Sequence, residues 1–162
     1  MPKTLIFLCL FLLENALFSQ KKDIYNPNAD AKADIAAAIK LAKQTNKHVL
    51  VQVGGNWCIW CHRLHDFIEA DKSLDSLMQA NYVVVHVNYD SEHHNDAVMK
   101  QLDYPQRFGF PVLVILDEKG KRLHTQDSAL LEKEVVYYNT DHLKSFFTNW
   151  SKTGMIPTPF RK

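Results

Sequence analysis

Cysteine is scarce in this sequence: the 162 residues include only Cys9, Cys58 and Cys61. The scarcity excludes a fold that depends on a framework of several disulfides. Cys58 and Cys61 are separated by two residues, and a bridge that closes so short a loop would restrict the unfolded chain very little. The pair is therefore better explained by the reactivity of its thiols than by a contribution to stability.

Excess charge is also nearly absent. The 19 lysine and arginine side chains are balanced by 18 aspartate and glutamate side chains, and the net charge is +1. This balance gives no electrostatic attraction to nucleic acid or to an anionic membrane surface, so we expect neither as a partner. The sequence has no phosphate-binding loop, no Ser-His-Asp motif and no paired catalytic carboxylates. We therefore expect no cofactor.

The one long apolar run is at the N-terminus. Leu5–Leu13 follows Lys3, is too short to span a bilayer and suits the apolar region of a signal peptide. We predict a signal peptide at residues 1–19, whose cleavage removes Cys9. The mature protein would then have no stable membrane insertion and would reside in the periplasm or outside the cell. The alternative is an uncleaved anchor or a buried helix.

The remaining chain is predicted to form one domain at residues 29–151, between a flexible arm at 20–28 and a tail at 152–162. That length is sufficient to bury a substantial core. We expect the domain to be a monomer.

Two apolar patterns alternate along this domain. Apolar residues three or four positions apart predict helices, and short apolar runs flanked by turn residues predict strands. The predicted helices span residues 30–45, with Asn28 or Asp30 as cap, 58–70, 73–80, 94–106 and 141–151. The predicted strands span 48–53, 82–89, 111–116 and 121–125. Residues 128–138 remain open between a strand and a loop insertion.

The order of these elements indicates the fold class. A strand–helix–strand unit with apolar strands predicts a parallel pair, and the tight turn at residues 117–120 adds an antiparallel strand. We therefore predict an α/β fold with a central mixed sheet and helices on both faces.

The motif Trp57–His62 (WCIWCH) lies where the first strand passes into a helix. The N-terminus of a helix favours negative charge and lowers the pKa of a cysteine placed there. Cys58 occupies that end and is predicted to be the attacking thiolate. Cys61 lies one turn further in, is predicted to be more buried, and would resolve the mixed disulfide.

The combination of several motifs resembles the thioredoxin superfamily. The strand HVLVQV, the motif GGNWCIWC, the pair Phe110-Pro111 before VLVIL, and the turn DEKGK all occur in order. The resemblance covers residues 29–151 and is strongest to exported thioredoxin-like and disulfide-isomerase-like proteins with a WCxWC motif. It implies a thioredoxin-like fold and a thiol–disulfide oxidoreductase, as a reductase or isomerase. Its partners would be cysteine-containing exported proteins and an unidentified redox partner.

The resemblance also implies roles for residues around the cysteines. Pro111 would be cis and would place Phe110 beside Cys58, where its backbone can pair with a substrate peptide. Trp57 would wall one side of the Cys58 sulfur, or else serve only in packing. Together with Trp60 these residues would line a substrate groove.

Gln52 and His86 depart from the thioredoxin pattern. Gln52 stands where thioredoxins bury a carboxylate that helps to deprotonate the resolving thiol, and His86 stands where a lysine is expected. The route of proton transfer at Cys61 is thus open. Histidine titrates near neutral pH, so His62 and His86 are the candidates for this step.

Three alternatives use the same region. Cys58, Cys61 and His62 match the C-x-x-C-H attachment site of a c-type haem, with a methionine opposite. Together with His65, these three side chains are of the kind that bind metal ions. Four ligands within one and a half helical turns cannot converge tetrahedrally, however, so we expect no metal site. The third alternative is a non-catalytic module that binds peptides in the predicted groove.

Overall fold

The computed structural model describes residues 23–133 and 137–157. The predicted signal peptide, with Cys9, lies outside the described residues, as do residues 134–136 and 158–162. The helices are α1 (Ala31–Thr45), α2 (Ile59–Ala70), α3 (Lys72–Asn81), α4 (Asp96–Gln101) and α5 (Thr140–Asn149). The strands are β1 (His48–Gly54), β2 (Tyr82–Asn88), β3 (Val112–Leu116), β4 (Arg122–Asp127), β5 (Glu132–Lys133) and β6 (Tyr137–Tyr138).

The main sheet is mixed, as predicted. Its strand order is β2-β1-β3-β4, with β1 parallel to β2 and antiparallel to β3, and with β3 antiparallel to β4. Strands β1 and β3 lie in the middle and are buried along their whole length. Buried central strands have both faces covered, which explains their continuous apolar sequences. Strand β2 is an edge strand and is only partly buried, although its sequence predicted a buried strand.

The sheet separates two apolar clusters. Val49, Val51 and Val53 point from β1 into a cluster shared with α1 and α4. Leu50 points to the opposite face, into a cluster shared with α2, α3 and α5. This alternation follows from the two-residue period of a strand. It places the end of β1 between two packed layers, and the cysteine motif follows directly from that end.

Helix α1 shows how local sequence sets an element. The Asp30 side chain accepts a hydrogen bond of 3.0 Å from the Ala33 backbone N–H and caps the start of the helix. Ile35, Ala38 and Ala42 form its buried face. The helix ends at Asn46, whose φ of 57° is left-handed, a common way to end a helix. The predicted helix is confirmed, with Asp30 rather than Asn28 as its cap.

The predicted helix over residues 94–106 is wrong in length. Helix α4 covers only Asp96–Gln101, and a separate 3₁₀ turn covers Pro105–Phe108. Asp103 and Tyr104 between them have left-handed φ values of 62° and 52°. Proline disfavours the helical conformation of the residue before it and cannot donate the helical hydrogen bond, so the helix stops ahead of Pro105.

The described residues of the stretch 128–138, namely 128–133 and 137–138, show both structures that the sequence left open. A 3₁₀ turn over Ser128–Leu131 leads into a small hairpin in which Glu132 pairs with Tyr138 and Lys133 with Tyr137. Helix α5 then begins at Thr140, because the Asn139 side chain accepts hydrogen bonds from two backbone N–H groups of the first turn. The predicted caps, Thr140 and Asp141, lie inside the helix.

The described part of the predicted arm is packed against the domain. The Tyr25 side chain is only 1% exposed. The backbone N–H groups of Ile24 and Tyr25 both donate to the Asn56 side-chain oxygen, at 3.0 Å each. These contacts move the start of the packed domain from residue 29 to at least Ile24.

In residues 23–133 and 137–157, none of the helices has the length and apolar character needed to cross a membrane.

Candidate active site

Cys58 is held at the N-terminus of α2. Strand β1 ends at Gly54, and the chain turns through residues 55–57 so that Cys58 becomes the N-cap residue of the helix. Its sulfur accepts a hydrogen bond of 3.1 Å from the Cys61 backbone N–H. The free N–H groups and dipole of the first turn stabilise a negative sulfur at this position.

Cys58 and Cys61 form a disulfide, with their Cα atoms 5.3 Å apart. Cys58 is 5% exposed and Cys61 is fully buried. This difference agrees with the predicted order, in which Cys58 is the more accessible sulfur.

Pro111 lies at the entrance to β3 and is buried. The peptide bond between Phe110 and Pro111 is cis, as the resemblance to thioredoxins implies. The Phe110 ring packs against the cluster formed by Tyr25 and the two cysteines. The structure therefore brings the predicted residue Phe110 to the disulfide, although it lies 49 positions beyond Cys61 in the sequence.

Trp57 presents a fixed aromatic surface beside Cys58. Its side chain is 61% exposed, yet its indole N–H donates a hydrogen bond of 2.9 Å to the Tyr89 carbonyl oxygen. Its ring meets the Phe110 ring edge to face, with centroids 5.6 Å apart. Gly55 permits this arrangement, because a Cβ there would lie 2.7 Å from the Trp57 Cδ1.

A surface groove of about 470 Å³ runs along this side of the site. Trp57 and Phe110 line it together with Tyr89, whose ring packs on Phe110 at 5.1 Å, and His94, which stacks on Tyr89 at 5.3 Å. Tyr89 and His94 were not among the predicted site residues. Their position after the end of β2 could have indicated them, since β2 runs parallel to β1 and both strands end at the same edge of the sheet.

Trp60 lies outside this groove. Its ring meets Tyr138 of the β5–β6 hairpin edge to face at 6.2 Å, and the Arg63 guanidinium lies 4.4 Å from its centre. It also packs against the cluster of Tyr25 and the cysteines. The predicted grouping of Trp57 with Trp60 in one groove is thus not what the structure shows, because the helical turn directs the two indoles to different neighbours.

Tyr25 lies behind the disulfide, and sequence analysis missed it. It forms a buried cluster with Cys58 and Cys61. The Gln52 side-chain amide donates a hydrogen bond of 2.8 Å to the Tyr25 hydroxyl oxygen, and the Asn56 amide donates one of 2.8 Å to the Tyr25 carbonyl. Burial raises the pKa of the Tyr25 hydroxyl well above its ordinary value. An aromatic residue in an otherwise polar arm was the available signal.

His62 holds the loop that precedes Cys58. It is buried, at 4% exposure, and its Nε2 lies 2.9 Å from the Asn56 carbonyl oxygen. A carbonyl only accepts, so Nε2 carries the proton and donates. This bond occupies Nε2, so His62 cannot bind a haem iron or another metal through that nitrogen.

His86 lies next to Gln52 in the paired strands, and its ring meets Tyr25 edge to face at 5.5 Å. Burial, with a smaller contribution from His65, lowers the pKa of His86 from 6.5 to about 4. The imidazole is therefore neutral at pH 7 and binds a proton weakly. Within the described part of the chain, no group of three or more His, Cys, Asp or Glu side chains is placed to hold a metal ion.

Residues 35–143 match the family model of a thioredoxin-like domain. A stretch of 94 residues is 28% identical to the disulfide bond reductase DsbH of Chlamydia pneumoniae, and covers 54% of this chain and 57% of that protein. The match thus spans little more than half the length of that relative.

Two solved structures share the fold. The disulphide isomerase from Xylella fastidiosa Temecula1 superposes with a TM-score of 0.68 at 24% identity, over 78% of this chain and 95% of the other. The C-terminal domain of Neisseria meningitidis DsbD, in the oxidised form, gives a TM-score of 0.50 at 18% identity, over 74% and 94%. The family match over residues 35–143, together with the mixed sheet and the Cys58–Cys61 pair, establishes that this chain belongs to the thioredoxin-like family.

Proposed function

We propose that this protein is a thiol–disulfide oxidoreductase that works as a reductase or isomerase. The observation that carries the proposal is the Cys58–Cys61 pair, with Cys58 at the N-terminus of α2 and Phe110 packed against the cysteine cluster. The similarity to a disulfide bond reductase and to a disulphide isomerase supports the same chemistry. No resident metal or cofactor is needed, because the two sulfurs carry the exchanged electrons.

The reaction has two exchange steps. The Cys58 thiolate attacks one sulfur of a substrate disulfide, and the second substrate sulfur leaves as a thiolate. The Cys61 thiolate then attacks Cys58, which forms the Cys58–Cys61 disulfide and releases the first substrate sulfur. The substrate gains two electrons and two protons, and the protein loses them. A redox partner must then reduce the protein disulfide.

The groove beside Cys58 is the proposed binding place for the substrate peptide. Trp57 and Phe110 offer apolar surface next to the attacking sulfur. Trp60 contacts the cysteine cluster from the hairpin side and would limit the substrate there. The expected substrates are proteins whose cysteines lie in an extended or unfolded segment.

The two histidines have positioning roles in this proposal. His62 fixes the carbonyl of Asn56 and with it the loop before Cys58. His86 packs against Tyr25 as a neutral ring. His86 is not proposed as the proton acceptor, because it binds protons weakly near neutral pH.

Export of the protein is part of the proposal. Lys3 and the apolar run Leu5–Leu13 support a signal peptide at residues 1–19, and removal of this segment would leave a monomer in the periplasm or outside the cell. An oxidising compartment also suits a disulfide exchange protein with no other cysteine. The tail at 152–162 has no proposed role.

A redox titration tests the chemistry. The full chain is expressed with export, purified, and equilibrated in glutathione or dithiothreitol buffers. Free thiols are then trapped with a maleimide and counted by mass, and the same mass shows whether residues 1–19 were removed. Reversible gain of two labels at a single midpoint supports the proposal. Absence of labels under reducing conditions contradicts it.

Serine variants test the order of the two cysteines. Cys61→Ser should accumulate a mixed disulfide with a substrate peptide, because the resolving thiol is absent, and Cys58→Ser should form none. Both should lose turnover. A trapped adduct on Cys58→Ser instead would reverse the assignment. Peptide binding by a double-serine variant measures the groove separately from the chemistry.

A further inference from the structure

Tyr25 lies outside the helices and strands, yet both its backbone and its side chain are bonded to the domain. Its side chain is 1% exposed, its backbone N–H and carbonyl both bond to the Asn56 side chain, and its hydroxyl bonds to Gln52. Ordering a polar segment costs conformational entropy, which these contacts must offset. These contacts bring the phenolic hydroxyl of Tyr25 to the buried side of the cysteine pair, where Ile24 also packs.

Gly54 reveals how close this hydroxyl is to Cys61. A Cβ at Gly54 would lie 2.5 Å from the Cys61 sulfur and 2.6 Å from the Tyr25 hydroxyl oxygen. The Tyr25 oxygen and the Cys61 sulfur are therefore separated by no more than the sum of these two distances. Cys61 and Tyr25 belong to the same buried cluster.

The proton of the Tyr25 hydroxyl is available to donate a hydrogen bond. Gln52 donates to the Tyr25 oxygen, so the hydroxyl uses one of its acceptor positions and keeps its own proton to donate. Burial raises the pKa of Tyr25, and the hydroxyl remains protonated throughout the neutral range. The other titratable ring against Tyr25 is His86, which is neutral at pH 7 and meets Tyr25 edge to face.

We propose that the Tyr25 hydroxyl donates a hydrogen bond to the Cys61 sulfur once the disulfide is reduced, and so stabilises the resolving thiolate in the place of a buried carboxylate. This inference rests on the proposed oxidoreductase function. In the resolving step the Cys61 thiolate forms the bond to Cys58 as the Cys58–substrate bond breaks. The departing substrate thiolate gains a proton to match the one that Cys61 has given up.

The test compares Tyr25→Phe with Tyr82→Phe. Tyr82 is also 1% exposed and donates its hydroxyl to the Phe147 carbonyl at 2.8 Å, so its variant loses a comparable buried hydroxyl elsewhere in the sheet. The pKa of Cys61 is read from the Cβ chemical shift of carbon-13-labelled cysteine in the reduced protein. Release of thionitrobenzoate from a preformed Cys58 mixed disulfide gives the rate of resolution.

Tyr25→Phe should raise the pKa of Cys61 by about one to two, because a hydrogen bond to a charged group is lost, and should slow resolution at pH 7 by roughly tenfold or more. Tyr82→Phe should leave both values unchanged. Equal pKa values in the two variants would overturn the inference. If wild type shows no reversible dithiol couple, the proposed function itself fails.

A second substitution at position 25 tests the hydrogen bond without removing the hydroxyl, so the test does not depend on whether Tyr25→Phe folds. Site-specific 3-fluorotyrosine at position 25 retains the ring and hydroxyl but donates more strongly. It should lower the pKa of Cys61 below that of the wild type, the opposite direction to Tyr25→Phe. An unchanged pKa in the fluorinated protein would contradict a hydrogen bond to the sulfur.

Discussion

At the scale of single residues, the site depends on side chains that are absent as well as on those present. Gly54 and Gly55 follow one another at the end of β1, and neither position has room for a Cβ. Gly54 lets the Tyr25 hydroxyl approach Cys61, and Gly55 lets the Trp57 indole fold back to its hydrogen bond with Tyr89. These two adjacent glycines therefore leave room for Tyr25 on the buried side of the cysteine pair and for Trp57 on the exposed side.

Gly55→Ala should weaken peptide binding without changing the redox chemistry. The new Cβ would displace the exposed Trp57 ring, break its hydrogen bond to Tyr89, and lie 3.0 Å from the Tyr89 carbonyl oxygen, so the loop must also shift slightly. We expect KM for a peptide disulfide to rise roughly three- to tenfold, as for the loss of an aromatic contact. Steady-state kinetics with a peptide disulfide and with a small aromatic disulfide provide the measurement.

Trp57→Ala serves as the matched variant for this prediction, since it removes the same ring directly. Both variants should share the rise in KM, keep the wild-type midpoint in the redox titration, and react normally with the small disulfide. A Gly55→Ala protein with unchanged KM for the peptide would show that the position of Trp57 does not govern binding.

The site residues that sequence could predict are those whose chemistry is local. Cys58 was predicted to start a helix, and Pro111 was expected to be cis from the resemblance to thioredoxins; the structure shows both features. Tyr25 could not be predicted in this way, because its role depends on Asn56 and Gln52, some 30 residues away. The partners of Trp60 were missed for the same reason, since they come from the distant β5–β6 hairpin.

At the scale of elements, local signals set most boundaries and tertiary contacts set the remainder. The five predicted helices exist because periodic apolar residues and polar caps agree, as at Asp30 in α1. Helix α4 is the exception, since the prediction continued through Pro105. The N-terminal segment has no helical or strand pattern at all, and its order at Ile24 and Tyr25 comes from tertiary contacts, with the Asn56 side chain bonded to the backbone of both residues.

Asn56→Ala should release this segment. The substitution removes three hydrogen bonds to the backbone of Ile24 and Tyr25, and we expect the free energy of unfolding to fall by about 2–3 kcal/mol. Amide hydrogen exchange should accelerate specifically at residues 24 and 25. Denaturant unfolding and exchange measured by NMR on the oxidised protein are the two readouts.

Asn139→Ala is the control for the Asn56 variant. Asn139 also accepts two backbone N–H bonds, from Asp141 and His142 at the start of α5, and its loss should cost about 1 kcal/mol. It should leave exchange at residues 24 and 25 as in the wild type. Persistent protection of those two amides in Asn56→Ala would mean that Asn56 does not hold the segment.

At the scale of the whole molecule, the buried polar groups couple the site to the stability of the fold. Gln52 and His86 face each other across β1 and β2, and Tyr25 contacts both, so the layer behind the disulfide is polar but contains no charged group at neutral pH. A neutral imidazole in that layer is compatible with burial, whereas an imidazolium is not. The stability of the molecule should therefore depend on pH through His86.

Wild-type stability should fall as the pH is lowered from about 6.5 to about 4. The pKa of His86 is depressed to about 4 in the folded protein and is near 6.5 when unfolded, so between these values the unfolded chain binds the extra proton. Stability thus increases with pH across this window and is constant above it, with a total change on the order of 3 kcal/mol from this residue.

His86→Gln should remove most of the slope, whereas His142→Gln, at an exposed position of α5, should retain it. Urea unfolding of the three proteins between pH 4 and pH 7 measures the slopes. Parallel curves for wild type and His86→Gln would mean that His86 is protonated in the folded protein, and the layer behind the disulfide would then have to accommodate a positive charge.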